Sequence, residues 1–191
     1  MPRKELIYRE VALLHIESIK TGFLPSLGVK FLTLMYKCID ESDFATLEID
    51  FCNNELRGFV SGTIGNKSLF VEMLKHPIKL SFSLIPILYN FRKVKKIFNL
   101  LNHLSGQERA KYPKPELLTI CVNKKFQKQG VAYNLYKRLE IYFKQHDINN
   151  FSIIVGMSLD ANKFYQKQGA HISGSIQVHP GVISNVFIQE I

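Results

Sequence analysis

Gln127-Lys128-Gln129-Gly130-Val131-Ala132 stands between an apolar strand, Leu117–Val122, and a segment from about Val131 to His146 with helical spacing. A helix that opens on such a loop leaves its first backbone N–H groups unpaired, and its macrodipole favours negative charge there. Gly130 has no Cβ to block a close phosphate, and Ala132 keeps the first turn narrow. A pyrophosphate can rest on that end with little else required. Taken alone the six residues are a weak signal, because one glycine before a helix is usually only a turn. The competing fingerprints are absent: no GxxxxGK-S/T run occurs, and no GxGxxG follows a strand.

Downstream of this unit, Phe151–Val155 reads as a strand, and Ala161–Gln168 as a short helix ended by Gly169, a residue suited to the position after a helix. Two last strands lie near His171–Val178 and Asn185–Glu190. Strand, helix, strand in this order predicts a crossover unit. Upstream, Glu10–Lys20 carries apolar residues at helical spacing and stops at Thr21-Gly22. A second helix is expected from about Pro25 to Ile39, with Pro25 in its first turn. Phe44–Phe51 alternates, Asn53-Asn54-Glu55 interrupts, and Leu56–Ile64 resumes, which reads as a β-hairpin with a polar turn.

Net charge is +9, and it is concentrated. Between Gly65 and Pro115 stand ten Lys or Arg and two acids, Glu72 and Glu108, so ten minus two places +8 in that stretch. A local positive field suits an anionic partner, whether phosphorylated cofactor, nucleotide-linked substrate, membrane surface or nucleic acid. Within the stretch Val94, Ile97, Phe98 and Leu101 fall on one helical stripe, with Lys93, Lys95 and Lys96 off it. Leu80–Phe91 has twelve uncharged residues, too short a run to span a bilayer. The length of 191 residues fits one domain with an insertion. Cys38, Cys52 and Cys121 sit in apolar or strand-like stretches without a CxxC pair, so they are expected to be buried thiols, not disulfides or a zinc site. Met1-Pro2-Arg3-Lys4-Glu5 leads into an amphipathic segment, not a signal peptide, and a cytoplasmic location is the expectation.

Gln127, Gly130 and Ala132 match the Q/R-x-x-G-x-G/A hallmark of the GNAT superfamily of acyl-CoA N-acyltransferases, which the chain resembles. Ala161, Tyr165, Lys167 and Gly169 match that family's A-x-x-F/L-Y-x-K-x-G-F segment. Ala170 departs from the usual aromatic, and Ser158 stands where many members have Asn. The resemblance is specific over residues 116–170 and looser over 5–64, where Gly22-Phe23-Leu24 and Leu27-Gly28 look like the family's substrate-side start. It implies an α/β (α+β) fold: a mixed, mostly antiparallel twisted sheet, splayed between its fourth and fifth strands and flanked by helices. Residues 65–115 would then be a basic helical insertion between the third and fourth strands, within a single domain of residues 1–191.

The resemblance also implies site roles. Acetyl-CoA would be the acyl donor, with no metal. Its pantetheine arm would pair with the backbone of Leu118–Val122, through Ile120, Cys121 and Val122, as an added strand does. Gln127, Lys128, Gln129, Gly130, Val131, Ala132 and Tyr133 would hold the pyrophosphate. Tyr165 matches the tyrosine that protonates the departing thiolate, and a phenol near 10 can donate to a thiol near 8.5. Glu116 is a candidate general base, alongside Glu48, Asp50 and His179. Ser158 would bind the pantetheine amide or, more simply, cap the helix that follows. With Cys121 buried, direct transfer in a ternary complex is expected in place of an acetyl-cysteine.

The expected reaction is acetylation of a primary amine on a small molecule, a nucleotide-linked amino sugar being one candidate. The alternative is a degenerate CoA-binding module, or a protein-interaction domain with a basic surface. For the insertion three readings stand open: a lid over an anionic acceptor, an interfacial helix on anionic lipid, or a dimerisation or core-extending element. No nucleic-acid module is recognisable, and stable membrane association is not expected.

Overall fold

The computed structural model describes residues 2–20, 24–65, 69–88, 111–179 and 182–191. The first helix, α1 (Pro2–Ser18), begins well before the expected Glu10. Its extra turns are held by packing: Tyr8 joins Val11, Ala12 and Leu14 in the core, and its hydroxyl donates to Asp40 at 2.6 Å. The second expected helix divides. Leu24–Leu27, which contains Pro25, is a single 3-10 turn, and α2 (Val29–Asp40) starts only after Gly28. Gly28 takes φ 85°, which no right-handed helix can accommodate, so the two pieces cannot merge.

β1 (Ala45–Cys52) and β2 (Glu55–Thr63) form the expected hairpin. Asn53 and Asn54 turn it, with φ of 49° and 62°, the left-handed pair that a two-residue hairpin requires. Cys38 and Cys121 are buried, but Cys52 is exposed at the hairpin tip, beyond a register shift at Asp50/Phe51. The shift turns the strand end away from the core, which corrects the expectation of three buried thiols.

Within the stretch 65–115 the described elements are α3 (Leu69–Leu74) and α4 (Pro77–Leu88). Val94, Ile97, Phe98, Leu101 and the lysines among them lie outside the described residues. β3 (Glu116–Val122) returns directly beside β2, with Thr63 opposite Glu116, so residues 64–115 leave and rejoin the sheet at one point. Then come α5 (Val131–Gln145), β4 (Asn150–Gly156), α6 (Ala161–Lys167), β5 (His171–His179) and β6 (Val182–Glu190). Among the described residues no helix is long and apolar enough to cross a membrane.

The six strands run β1-β2-β3-β4-β6-β5, and every neighbouring pair is antiparallel except β3 with β4. The sheet is mixed, mostly antiparallel and flanked by helices, as expected. The parallel pair, β3 with β4, is where the expected splay lies. The strand count runs one lower than expected, because among the described residues only helices precede the hairpin, and the stretch 65–115 accordingly joins the second and third strands.

Period-two alternation gives the sheet two apolar faces. Phe59 and Cys121 face α1 and α2, where Val11, Phe31, Leu32 and Tyr36 are buried. Val60, Leu117, Phe151, Ile153 and Phe187 face α5, against Leu135, Tyr136, Leu139 and Phe143. The α5 layer lies very close to β2. A Cβ at Gly62 would stand 2.5 Å from a Leu139 methyl carbon, and one at Gly58 would stand 2.7 Å from the Cys121 carbonyl oxygen.

Candidate active site

β3 has two unlike edges. Toward β2 it is fully paired, and its end is fixed where the Asn123 N–H donates to the Arg57 carbonyl at 2.8 Å. Antiparallel pairing alternates, so with Asn123 turned toward β2, Cys121 and Thr119 turn that way too. The main-chain groups of Ile120 and Val122 therefore point to the other edge. There β4 is paired only at Glu116 with Ser152 and Leu117 with Ile153. Ser152 locks this short contact: its N–H donates to the Pro115 carbonyl at 2.9 Å, and its hydroxyl lies 3.1 Å from the Pro113 and 3.2 Å from the Pro115 carbonyl. Beyond Leu117 the strands part, and Ile120 and Val122 border the gap. The Val122 carbonyl already accepts from the Gln127 amide at 3.3 Å.

The gap leads into the loop that the sequence singled out. The Asn123 side chain accepts from the Lys125 N–H at 3.1 Å and nucleates a 3-10 turn over Lys124–Phe126. Lys128 and Gly130 then take φ of 60° and 81°, and the Gln129 amide donates to the Lys125 carbonyl at 3.0 Å. Gly130 precedes α5 without a side-chain cap, and the first helical bond runs from the Asn134 N–H to the Gly130 carbonyl at 3.0 Å. The N–H groups of Val131, Ala132 and Tyr133 thus have no partner within the helix. A Cβ at Gly130 would meet nothing of the protein within 4 Å. The glycine is required by its backbone angle, and the space beside it is open. Lys124, Lys125 and Lys128 are exposed in the loop that leads to this end, Lys125 being paired with Glu55 at 2.8 Å. Tyr133 is half-exposed with the Lys137 ammonium 5.7 Å above its ring.

Tyr165 is buried on α6 among the rings of Tyr136, Phe164 and Phe187, at centroid distances of 6.1, 5.3 and 6.0 Å. Burial pushes its phenol well above the usual range, and the Cys121 thiol adds to the shift. Such a phenol stays protonated and acts as a donor. Burial likewise pushes the Cys121 thiol up to about 12, with the Ser18 hydroxyl only partly offsetting it, so no thiolate nucleophile forms there.

The remaining candidates are scattered. Glu116 stands at the closed base of the gap, opposite Thr63 on one side and Ser152 on the other. Glu48 and Asp50 lie on β1, two strands from the gap, and Asp50 sits 3.6 Å from the Arg57 guanidinium. His179 ends β5. Ser158 is exposed and does not cap α6; Asp160 is the residue before that helix, and it makes no side-chain cap either. The capping expectation therefore fails, because the turn is held from inside by Asn162. Its amide donates to the carbonyls of Gly156, Met157 and Leu159.

Sequence reasoning also missed a buried polar pair behind β3. His15 and the Tyr36 hydroxyl share a hydrogen bond, and burial lowers His15 to about 4, so the ring is neutral at pH 7. A lone histidine on an apolar helix face gives no sequence signal that would have found it. Among the described residues no group of three or more His, Cys, Asp or Glu is placed to hold a metal.

A mostly antiparallel sheet whose one parallel pair parts into a gap, with an uncapped helix N-terminus at its mouth, defines the GNAT class of fold. Residues 103–184 match the family model described as Acetyltransferase (GNAT) domain. That match covers under half of the chain; over the described residues the fold is the GNAT fold, as comparison with solved structures shows. An acetyltransferase of the GNAT family from Streptococcus pneumoniae is 16% identical with a TM-score of 0.59, covering 100% of this chain and 96% of its own. The PaiA N-acetyltransferase of Thermoplasma acidophilum, in complex with coenzyme A, is 12% identical with a TM-score of 0.56 and coverage of 98% and 90%. An acetyltransferase from Thermus thermophilus is 11% identical with a TM-score of 0.58 and coverage of 100% and 93%. No curated protein matches the sequence significantly.

Proposed function

We propose that this chain is an acetyl-CoA-dependent N-acetyltransferase acting on a primary amine of a small molecule. The observation that carries the reading is the continuity between the open edge of β3 and the unpaired N–H groups at the start of α5. An extended amide-bearing arm fits the first, and a pyrophosphate fits the second. When bound, acetyl-CoA supplies the activated acetyl group. Ile120 and Val122 hold its arm as an added strand, while Gly130, Val131, Ala132 and Tyr133 hold its phosphates, with Lys128 and Gln129 shaping the loop.

Tyr165 donates a hydrogen bond, and as charge develops a proton, toward the departing sulfur. The acceptor amine attacks directly in a ternary complex, since Cys121 stays protonated. Glu116 at the base of the gap is our choice for the group that draws off the amine's proton. A nucleotide-linked amino sugar is the acceptor we favour, because the basic stretch 65–115 begins and ends where β2 meets β3. We treat the chain as one domain, 1–191, with that stretch as its insertion.

Calorimetric titration of acetyl-CoA, with CoA release followed over a panel of amino-sugar nucleotides, aminoglycosides and peptides, tests this directly. Acetyl-CoA should bind and at least one amine should turn over. Gly130→Glu, which places a bulky anion in the open space and strains a φ of 81°, should abolish binding in a folded protein. Binding without turnover on the whole panel would make the chain a CoA-binding module; survival of binding in Gly130→Glu would move the phosphate site elsewhere.

A further inference from the structure

We propose that Asn162 is a positioning residue for the acyl donor: it fixes the turn after β4 that forms the wall of the gap facing Ile120 and Val122. The inference rests on the acetyl-CoA reading above, but on residues that no motif selects. β4 leaves β3 after Ile153, so its last residues and the turn Met157–Asp160 border the far side of the gap. All four residues of that turn are exposed, so burial does not hold its shape. Hydrogen bonds do. The Asn162 amide nitrogen donates to the carbonyls of Leu159 at 2.6 Å, Gly156 at 2.9 Å and Met157 at 3.3 Å. Its oxygen accepts from the Asn185 amide at 2.9 Å, and Asn185 stands on β6 opposite Val155 of β4. Both ends of one side chain are therefore committed, and they tie the turn to the sheet's rigid side.

The main chain adds four bonds: the Leu159 N–H reaches the Gly156 carbonyl at 3.0 Å, the Met157 N–H the Ile183 carbonyl at 3.3 Å, the Asn162 N–H the Leu159 carbonyl at 3.1 Å and the Lys163 N–H the Asp160 carbonyl at 3.1 Å. Only the Met157 bond among them leaves the turn for the sheet. With its carbonyls tethered, the turn presents Met157 and Leu159, 55% and 52% exposed, as an apolar rim. An alkyl amide arm lying along β3 would be confined between that rim and the strand. The phosphate end, built from the loop before α5, does not depend on the clamp.

That separation gives the test. Acetyl-CoA and adenosine 3′,5′-bisphosphate, which keeps the 3′-phosphate and the first 5′-phosphate but has neither the second 5′-phosphate nor the arm, are titrated into the wild-type chain, Asn162→Asp and Asn185→Ala. In Asn162→Asp an oxygen replaces the donor and faces three carbonyls, so acetyl-CoA affinity should fall about tenfold or more. Affinity for the bisphosphate should stay within about twofold of wild type. Asn185→Ala, which frees only one end of the clamp, should move acetyl-CoA affinity in the same direction by less, and it carries the test if Asn162→Asp does not fold. Unchanged acetyl-CoA affinity overturns the proposal, and so does an equal loss for both probes, which a merely structural residue would give. A wild type that binds neither probe overturns the cofactor reading itself.

Discussion

Tyr165 shows how much a single position can carry and how its surroundings change the argument. The family resemblance over Ala161–Gly169 makes it a candidate proton donor, and an ordinary phenol would suffice for that role. Inside the protein it is packed between Tyr136 and Phe187, and burial raises its pKa well above the usual range. In the reaction we propose, it acts first as a hydrogen-bond donor to a charging sulfur. Tyr165→Phe keeps the rings in contact and removes the hydroxyl. Turnover should fall by at least about tenfold, in line with a positioned acid, while acetyl-CoA affinity and melting temperature stay near wild type. Unchanged turnover would reduce Tyr165 to core packing. Gly130 was legible for a similar reason, since a lone glycine between strand and helix is a backbone requirement that shows in the letters. Asn162 was not legible, because its partners are carbonyls set by the fold.

At the scale of elements, the gap depends on α5 lying close against β2 while β4 moves away. Gly58 and Gly62 permit that approach, since any side chain at Gly62 would meet Leu139 at 2.5 Å and Phe143 at 3.2 Å. Gly62 also adjoins the register shift where β3 changes its pairing with β2. Gly62→Ala should destabilise the fold by about 1–3 kcal/mol through overpacking, lowering the melting temperature by several degrees. Because displacing α5 moves its N-terminus, acetyl-CoA affinity should fall in the same variant while it is still folded at low temperature. A melting temperature equal to wild type would show that α5 relaxes freely and does not set the cleft. The hairpin β1–β2, the α5 unit and the last strands were readable from alternation and turn chemistry. The division at Gly28 was not, because Pro25 alone is compatible with a helix start.

Over the whole molecule, the net charge of +9 favours an anionic ligand, and although +8 of it lies in the stretch 65–115, Lys124, Lys125 and Lys128 belong to the loop before α5. Lys125 is already paired with Glu55 at 2.8 Å, and such exposed pairs add little to stability. The field should appear in binding instead. Acetyl-CoA affinity should weaken severalfold as ionic strength rises from about 0.05 to 0.5 M, since screening shortens the reach of the lysines. The melting temperature without ligand should change much less over the same range. A salt-independent affinity would mean that main-chain donors alone hold the phosphates.

What the sequence by itself determined is what short-range physics encodes. Alternation set the strands and helical spacing set α5. Asn53-Asn54 set a tight turn, and Gly130 set a helix start open to an anion. Only the tertiary structure decided where β4 stops pairing with β3, because that is fixed by Ser152 binding the carbonyls of Pro113 and Pro115, far away in the chain. It alone turned Ile120 and Val122, not Cys121, toward the gap, since one bulge opposite Ser61 and Gly62 reassigns which main-chain groups face which edge. It also set Glu48 and Asp50 on β1, two strands from the gap, and Asn162 between a turn and β6. Local pattern fixes which element a residue joins; the packing of distant elements fixes what that residue can touch.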